Sequence, residues 1–300
     1  MRAWVEHVHS LAGEKLVWDI SFQFGDWLDP AAPPDKPYQA RADRHLVATA
    51  YFARSTDVLA QSAAVLGRND DARDYTALAG RIKEAFRARY APDGLQSSGS
   101  QAEIVLALEF GLLTADEEPS AVARLVELIE REEYRLGTGF LGTPGICQVL
   151  SDHGREDVAY ALLLQKECPS WLYPVTHGAT TIWERWDAIQ SDGSINPGEM
   201  LSFNHYAYGA VGAWLYGAVA GLQLIQPGYR RFRVAPRPGG GLQWAEAHHE
   251  SPYGPIDVRW EQRGDRLEVE VSVPPGATAD VVLPTGEAKA LTSGRHTVSS

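Results

Sequence analysis

The sequence of 300 residues predicts a chain that is mainly α-helical and ends in a small antiparallel β-domain. Two observations support this fold class. From about residue 37 to 222 apolar residues recur at helical spacing, as in Val122, Leu125, Val126 and Ile129, which form one stripe. After "LQLIQPGYRR" the apolar spacing changes to every second residue, which is typical of half-buried strands.

The helical region contains about eight helices joined by short loops such as "GRNDD" and "APDG", where Gly, Pro and Asp interrupt the pattern. Helices joined in this way pack as antiparallel hairpins. We expect helices at about 2–12, 38–67, 70–90, 100–113, 119–133, 144–152, 155–167 and 204–222.

The strand pattern is clearest around the "RGDR" turn. Ile256, Val258 and Trp260 alternate with charged residues before it, and a second alternating run follows it. Further strands are predicted in "RRFRV", "LQWAEAH", "TADVVLP" and "GRHTVS", which together indicate a small β-sandwich. We therefore expect a helical domain at 1–225 and a β-sandwich domain at 226–300.

Charge and composition exclude several classes of partner. The chain has 39 acidic and 27 basic residues, a net charge of −12, which argues against binding of nucleic acid or an anionic membrane. The start "MRAWVEHVHSLAG" does not resemble a signal peptide, and no apolar run approaches the roughly 20 residues of a membrane span. We expect a cytoplasmic protein, unless its natural start lies upstream, and leave its oligomeric state open.

Several motifs suggest cofactors or metals and are rejected. "GTGFLG", residues 137–142, matches a dinucleotide fingerprint but follows a helix where that motif needs a strand, so the glycines indicate a tight loop. "HVH" and "HH" place their side chains on different faces, so we predict no metal and no cofactor. Cys147 and Cys168, the only cysteines, are interpreted as buried thiols.

The first stretch that suggests a site runs from Val17 to Tyr38 and is too Pro-rich for regular structure. Its carboxylates could accept hydrogen bonds from sugar hydroxyls while an aromatic ring stacks on the sugar. Alternatively, its aromatics anchor a long loop and its acids cap helices. The residues concerned are Asp19, Asp26, Asp29, Asp35, Trp18, Trp27, Phe22 and Phe24.

The second stretch runs from Cys168 to Tyr216. In "TTIWERWDAI", Glu184 and Arg185 lie between Trp183 and Trp186. A buried carboxylate needs a partner, so the stretch holds either a structural Glu184–Arg185 ion network or a functional carboxylate. The surrounding aromatics favour function. Further polar and aromatic residues of this segment are Trp171, Tyr173, His177, Asp187, Asn204, His205 and Tyr206.

Three motifs, "FGDWLDP", "ATTIWERWDAI" and "SFNHYAYGAVGAWLY", resemble in order and spacing the inverting α-L-rhamnosidases of glycoside hydrolase family 78. The resemblance extends from residue 1 to about 284. It implies a catalytic (α/α)6 barrel followed by a C-terminal antiparallel β-sandwich. With only about eight helices, this chain corresponds to a partial (α/α)6 barrel.

The resemblance also implies residue roles. Glu184 of "WERWD" corresponds to the general base, which activates a water for attack on the anomeric carbon. Trp27, with Asp26 beside it, corresponds to a tryptophan lining the rhamnose pocket, and His205 to a pocket histidine near the base. Trp183 is expected to frame Glu184 as a further substrate-binding residue.

The guanidinium of Arg185, if it turned toward Glu184, would help to keep the base ionised, because a nearby positive charge favours the charged form. An inverting glycosidase also needs a general acid. In the family this acid lies in an "RDERLGWTGD"-like motif before "FGDWLDP", and these 300 residues contain no such motif. We therefore expect the C-terminal part of a longer enzyme, and without the acid hydrolysis should be slower by roughly 10²–10⁴-fold. Acids within the chain that are weighed as substitutes are Glu14, Asp19, Asp26 and Asp29.

The leading function is hydrolysis of terminal α-L-rhamnosyl linkages in a rhamnosylated glycoside or polysaccharide. One alternative is a non-catalytic or degenerate carbohydrate-binding protein that uses the same pocket. Another is an (α/α)6 glycosidase or lyase of different specificity. Turnover of aryl glycosides and binding of rhamnose distinguish these three.

Overall fold

The computed structural model describes all 300 residues and consists of two compact units. The first comprises residues 1–153 and 162–208 and is helical, whereas the second comprises residues 154–161 and 209–300 and contains the strands. Helices followed by strands confirm the predicted fold class. The chain leaves the first unit after Tyr208, and the predicted domain boundary between residues 225 and 226 stays a prediction.

Most helices lie where the apolar spacing predicts them. Val122, Leu125, Val126 and Ile129 are all buried, as their common stripe requires. Among the hairpins, α2 packs against α3, and α4 packs against both α5 and α6. The helices are α1 Arg2–Ala12, α2 Arg44–Val65, α3 Asn69–Tyr90, α4 Gln101–Glu109, α5 Glu118–Arg131, α6 Thr143–Asp152, α7 Glu156–Leu164, α8 Leu172–Thr176 and α9 Val211–Trp214.

Capping residues set the start of two helices. The carboxylate of Asp43 accepts hydrogen bonds from the backbone N–H groups of His45 and Leu46, so α2 begins at Arg44 and not near residue 38. The hydroxyl of Ser100 accepts a bond from the N–H of Glu103 at the start of α4. The residues before α2 therefore remain a loop, which carries Asp26 and Trp27.

The predicted long helix at 204–222 is wrong. This segment contains a 3₁₀ turn at 207–210, the short α9, a π-helical turn at 215–219 and part of strand β1. Its four glycines lower the helix propensity of the segment. The last one, Gly221, has φ +86°, so the chain is no longer in the right-handed helical conformation at this point. A Cβ there would lie 2.3 Å from the nitrogen of Pro236, so only glycine fits this position.

The second unit contains two four-stranded sheets, with strand orders β1-β2-β6-β7 and β3-β4-β5-β8. All neighbours are antiparallel except β2 and β6, which pair in parallel. The sequence pattern did not predict β1 and β7. The strands are β1 Leu222–Leu224, β2 Arg231–Val234, β3 Trp244–Ser251, β4 Gly254–Arg263, β5 Arg266–Val273, β6 Thr278–Val282, β7 Ala288–Leu291 and β8 Gly294–Ser299.

Alternation along the strands produces the core of the β unit. Ile256, Val258 and Trp260 of β4 are buried, and the indole N–H of Trp260 donates to the carbonyl of Val219 at 2.7 Å. The apolar face of β4 is thus directed inward, as the spacing predicts.

Cys147 and Cys168 do not form a disulfide with each other. Cys147 is buried as predicted, and Cys168 is only half-buried. Burial raises the pKa of Cys147 above its usual value and raises the pKa of Cys168 to about 12, so neither thiol is an activated nucleophile. No helix of the structure combines the length and the apolar character needed to cross a membrane.

Candidate active site

Glu184 lies in a non-helical segment and is fixed through its backbone and its side chain. Its N–H donates to the carbonyl of Ser202 at 2.8 Å, and the N–H of Ser202 donates back to Glu184 Oε2 at 3.1 Å. The side chain keeps 14% of its surface exposed. The carboxylate is therefore oriented by a backbone donor and still accessible to a small molecule.

His205 lies next to this carboxylate, as the resemblance implies. Its Nε2 is 4.0 Å from Glu184 Oε1, and its backbone N–H donates to the carbonyl of Ile182 at 2.8 Å. The N–H of Ala207 donates to His205 Nδ1 at 3.3 Å. Because Nδ1 then acts as an acceptor, the neutral ring carries its proton on Nε2, the nitrogen that faces Glu184.

Phe140, which the sequence analysis did not select, holds the imidazole in place. The two rings stack at a centroid distance of 5.0 Å with an interplanar angle of 20°. On the same histidine, the ring of Tyr206 lies parallel at 5.5 Å. The aromatic contacts therefore fix the plane of His205 relative to Glu184.

The loop that carries Phe140, residues 137–142, is bound by Asp26. Asp26 Oδ2 accepts the N–H of Gly139 at 2.7 Å, and Oδ1 accepts those of Leu141 and Gly142 at 2.8 and 3.0 Å. Asp26 has no exposed surface. Both of its oxygens are thus used inside the protein, and not for a ligand at the surface.

Burial and hydrogen bonding act in opposite directions on this carboxyl. Burial raises the pKa of Asp26 from the usual 3.8, and the three backbone N–H donors partly offset the rise. The resulting pKa is about 6. Asp26 therefore takes up its proton at a higher pH in the folded protein than in the unfolded chain.

Gly139 lets the loop approach the segment that contains Asp26 and Trp27. A Cβ at Gly139 would lie 2.2 Å from the carbonyl oxygen of Trp27 and 2.5 Å from that of Asp26, distances that no side chain tolerates. The neighbouring N–H of Phe140 donates to the same Trp27 oxygen at 2.8 Å. The tight loop predicted for "GTGFLG" is confirmed, and its close partner is protein backbone.

Trp27 is half-buried and belongs to an aromatic cluster that reaches the surface. Its ring meets that of Phe24 edge to face at 5.5 Å, and Phe24 meets Phe22 at 5.1 Å. Phe22 and Phe24 are 56% and 63% exposed. This cluster provides aromatic surface beside the loop of Phe140.

The two tryptophans that flank Glu184 are almost fully buried. Trp183 is 4% exposed and meets the ring of Phe203 edge to face, and Trp186 is 5% exposed and stacks on Tyr208 at 3.8 Å. Because so little of its ring is exposed, Trp183 packs inside the protein and supports the segment that carries Glu184. Its role as a substrate-binding residue stays a prediction.

Arg185 does not turn toward Glu184. Its Nε and Nη2 donate to the two oxygens of Asp187 at 2.6 and 3.2 Å, and its Nη1 donates to the carbonyl of Glu199 at 3.3 Å. The expectation that Arg185 helps to ionise Glu184 is therefore wrong, because the bidentate pair with Asp187 is geometrically better. A structural Glu184–Arg185 network is excluded for the same reason.

The other acids of residues 17–38 are not grouped with Glu184. Asp29 is buried, and its oxygens accept bonds from the guanidinium of Arg41 and from the N–H groups of Ala31 and Arg41. Asp19 and Asp35 are exposed. No group of three or more His, Cys, Asp or Glu side chains is arranged to hold a metal ion.

Comparison with known proteins gives a consistent match over both units. Residues 1–219 match the family model of the bacterial alpha-L-rhamnosidase six-hairpin glycosidase domain, and residues 221–298 match that of the bacterial alpha-L-rhamnosidase C-terminal domain. An alpha-L-rhamnosidase of Streptomyces avermitilis is 45% identical over 262 residues, which cover 87% of this chain and 24% of that protein. One of Formosa agariphila is 36% identical over 293 residues, covering 97% of this chain and 31% of that protein.

Comparison with solved structures also finds alpha-L-rhamnosidases. The native rhamnosidase of Aspergillus terreus superposes with a TM-score of 0.94 at 38% identity, covering 99% of this chain and 36% of that chain. The Streptomyces avermitilis rhamnosidase complexed with L-rhamnose superposes with a TM-score of 0.90 at 38% identity, covering 100% of this chain and 30% of that chain. This chain thus spans about a quarter to a third of the length of the proteins it matches.

Replacing Asp26 by Asn will change how stability depends on pH. The folded-state pKa of Asp26 is raised to about 6, so its proton stabilises the fold fully below pH 3.8, and this contribution is lost as pH rises through 6. Asn does not titrate. The wild type should therefore lose up to about 3 kcal/mol relative to Asp26→Asn between pH 4 and 7.

Urea unfolding at several pH values measures this difference. The matched control is Asp19→Asn at an exposed position, which should follow the wild type. A difference between Asp26→Asn and wild type that stays constant from pH 4 to 7 would contradict the raised pKa.

Adding a methyl group at Gly139 will destabilise the fold. Because the new Cβ meets backbone oxygens that cannot move independently, Gly139→Ala should lower the free energy of unfolding by about 1–3 kcal/mol or more. Gly80→Ala in α3 is the control, since nothing lies within 4 Å of a Cβ there and alanine favours helix. Equal stabilities of the two variants in chemical denaturation would rule out the close approach.

Proposed function

This chain belongs to the bacterial α-L-rhamnosidase family, and we propose that its helical unit carries the water-activating half of an inverting α-L-rhamnosidase site. The observation that carries the proposal is the pairing of Glu184 with His205 at 4.0 Å in an accessible position. The Streptomyces avermitilis relative was solved as a complex with L-rhamnose. Terminal α-L-rhamnosyl groups of a glycoside or polysaccharide are therefore the proposed substrate.

Glu184 is the proposed general base. In inverting hydrolysis a carboxylate takes a proton from water while that water attacks the anomeric carbon. Glu184 Oε2 already accepts the N–H of Ser202, so Oε1 is the oxygen left to accept a proton. It faces His205 Nε2 at 4.0 Å, too far for a direct hydrogen bond, which leaves the oxygen available to water.

His205 is proposed to orient the sugar. Its Nε2–H is aimed toward Glu184, and 28% of its side chain is exposed, so it can donate to a ring hydroxyl beside the attacked carbon. Phe140 prevents the imidazole from rotating. Trp27 is proposed to offer its ring to the apolar face of the sugar.

Asp26 is proposed to position the site and not to contact the sugar. Its carboxylate fixes the loop 137–142 through three backbone N–H groups, the loop places Phe140, and Phe140 stacks on His205. A change at Asp26 therefore reaches Glu184 through two intermediate side chains, those of Phe140 and His205. Trp183 is proposed to support Glu184 in the same indirect way.

The complementary general acid is proposed to lie in the remaining length of a protein as long as the relatives. Within this chain Asp29 is engaged with Arg41 and Asp26 with backbone N–H groups, so neither is free to protonate a leaving oxygen. Glu14 and Asp19 lie on the exposed surface. This division of the two carboxylates agrees with the acid motif expected before "FGDWLDP".

Replacing Glu184 by Gln should reduce hydrolysis of an aryl α-L-rhamnoside by roughly 10²–10⁴-fold, because the amide cannot take a proton from water. The rate is measured on this chain and on a protein extended upstream to the length of the relatives. Affinity for L-rhamnose should change only a few-fold, since the amide keeps the shape of the carboxylate.

The matched control is Glu199→Gln, an exposed acid of the same segment, which should retain full activity. Normal turnover by Glu184→Gln in the extended protein would refute the assignment of the base. Binding of L-rhamnose without turnover by either wild-type protein would instead support a non-catalytic carbohydrate-binding protein.

A further inference from the structure

The β unit has a groove of about 690 Å³ on one face of the sheet β3-β4-β5-β8. Alternate residues of the four strands form its floor, and the residues between them, such as Val258 and Val271, are buried in the core. A further hollow of about 340 Å³ continues the groove, because Asp257, Ser272 and Arg295 line both. The groove therefore lies on the outer face of the sheet and suits an elongated ligand.

Half of the floor already has its polar partners within the protein. Glu246 of β3 pairs with Arg259 of β4 at 2.9 Å. His248 Nδ1 of β3 lies 2.7 Å from a carboxylate oxygen of Asp257 on β4. Both pairs are direct cross-strand neighbours. The charges of this half are therefore balanced before any ligand binds.

The other half of the floor, on β5 and β8, has free polar groups. Glu270 faces Thr297 across the two strands, and Ser272 faces Arg295. None of these four side chains makes a hydrogen bond or an ion pair within the protein. One carboxylate, one guanidinium and two hydroxyls can both accept and donate, without net charge. The complementary ligand is therefore neutral and both donates and accepts hydrogen bonds, as sugar hydroxyls do.

Aromatic rings border the groove. Tyr216, Trp244 and Tyr253 are the three exposed aromatic side chains of the β unit, with 49%, 51% and 38% of their surface accessible. The two tyrosines line the groove, and the guanidinium of Arg259 lies 4.8 Å from the ring centre of Trp244. The hydroxyl of Tyr216 donates to the carbonyl of His248 at 3.3 Å, which restrains its ring. Exposed rings beside free polar groups are suited to stack on the apolar faces of sugars.

The floor is preformed and long. Its strands are paired along the whole groove, and their opposite face packs in the core of the β unit. At about 3.3 Å per residue, the eight residues of β3 span roughly 26 Å. A preformed floor reduces the entropy lost on binding, and this length accommodates several sugar units in a row.

From these observations we propose that the groove binds a neutral polysaccharide chain without cleaving it. Hydroxyl oxygens of the chain accept from the guanidinium of Arg295, and a hydroxyl proton is donated to the carboxylate of Glu270. Tyr216 and Trp244 stack on sugar rings at the border. The inference does not require that Glu184 be catalytic, because every residue of the groove belongs to the β unit.

Calorimetric titration of this chain with dextran, galactomannan and a neutral rhamnan tests the proposal. At least one of the three should bind with saturation, and its monosaccharide should bind more weakly, because a single ring reaches only part of the groove. A carboxymethylated form of the same polysaccharide should also bind more weakly, since the free guanidinium is offset by a free carboxylate.

Substitutions in the groove give the second readout. Arg295→Ala and Glu270→Gln each remove a charged hydrogen-bonding group and should weaken the binding about ten-fold. Trp244→Ala removes a stacking ring and should weaken it to a similar extent. The matched controls are Arg230→Ala and Glu287→Gln, exposed residues that do not line the groove, and both should bind as the wild type does.

The binding should persist in His205→Ala, which disrupts the Glu184 site. Its loss in that variant would assign the polysaccharide to the Glu184 site, which overturns the groove and leaves the proposed rhamnosidase function intact. Failure of Glu184→Gln to lose hydrolysis concerns the proposed function alone.

Three further results would overturn the proposal. They are the absence of binding to all three neutral polysaccharides, wild-type affinity in both Arg295→Ala and Glu270→Gln, and tighter binding of the carboxymethylated form, which would identify an anion site. The titration is repeated on a protein extended upstream to the length of the relatives, where the binding should remain. Loss of binding there would show that another part of the protein occupies the groove.

Discussion

The orientation of His205 beside Glu184 depends on one buried interaction, in which three backbone N–H groups of residues 137–142 donate hydrogen bonds to the Asp26 carboxylate. The three donors lie more than 110 residues from Asp26 in the sequence. The loop carries Phe140, whose ring fixes His205. Although the three donors stabilise the charged form, burial still raises the pKa of Asp26 to about 6, so desolvation is the larger effect. Keeping this carboxylate charged inside the protein therefore costs free energy, although it is the charged group that fixes the loop.

Regular structure could largely be predicted because it depends on local spacing. The stripe of α5 and the alternation of β4 are visible in the sequence, and both are buried as expected. The segment 204–222 was misjudged because its apolar residues suggest a helix while its glycines permit other conformations. Strands β1 and β7 are only three and four residues long, too short to show a period.

The site could be predicted only in part. The proposed roles of Glu184, Trp27 and His205 follow from motifs, whereas the contact between Phe140 and His205 spans the fold and no local pattern reveals it. A sequence signal was present in Gly139, whose absent side chain indicates a close approach of backbone. The sequence was misleading for Arg185, because its neighbour in the chain is Glu184 but its guanidinium binds Asp187. Asp26 and Trp27 are adjacent too, yet only Trp27 retains exposed surface.

The most direct test of the positioning role of Asp26 is a double-mutant cycle on the affinity for L-rhamnose, measured by calorimetry. Asp26→Asn, Gly139→Ala and the double variant are compared at a pH where circular dichroism shows all of them folded. Gly139 has no side chain with which to contact a sugar. If both residues act through the loop, the two single variants should lose affinity for L-rhamnose by about the same factor. The double variant should then bind hardly more weakly than either single variant. Loss of affinity in Asp26→Asn with wild-type affinity in Gly139→Ala would contradict this account and indicate direct contact of Asp26 with the sugar.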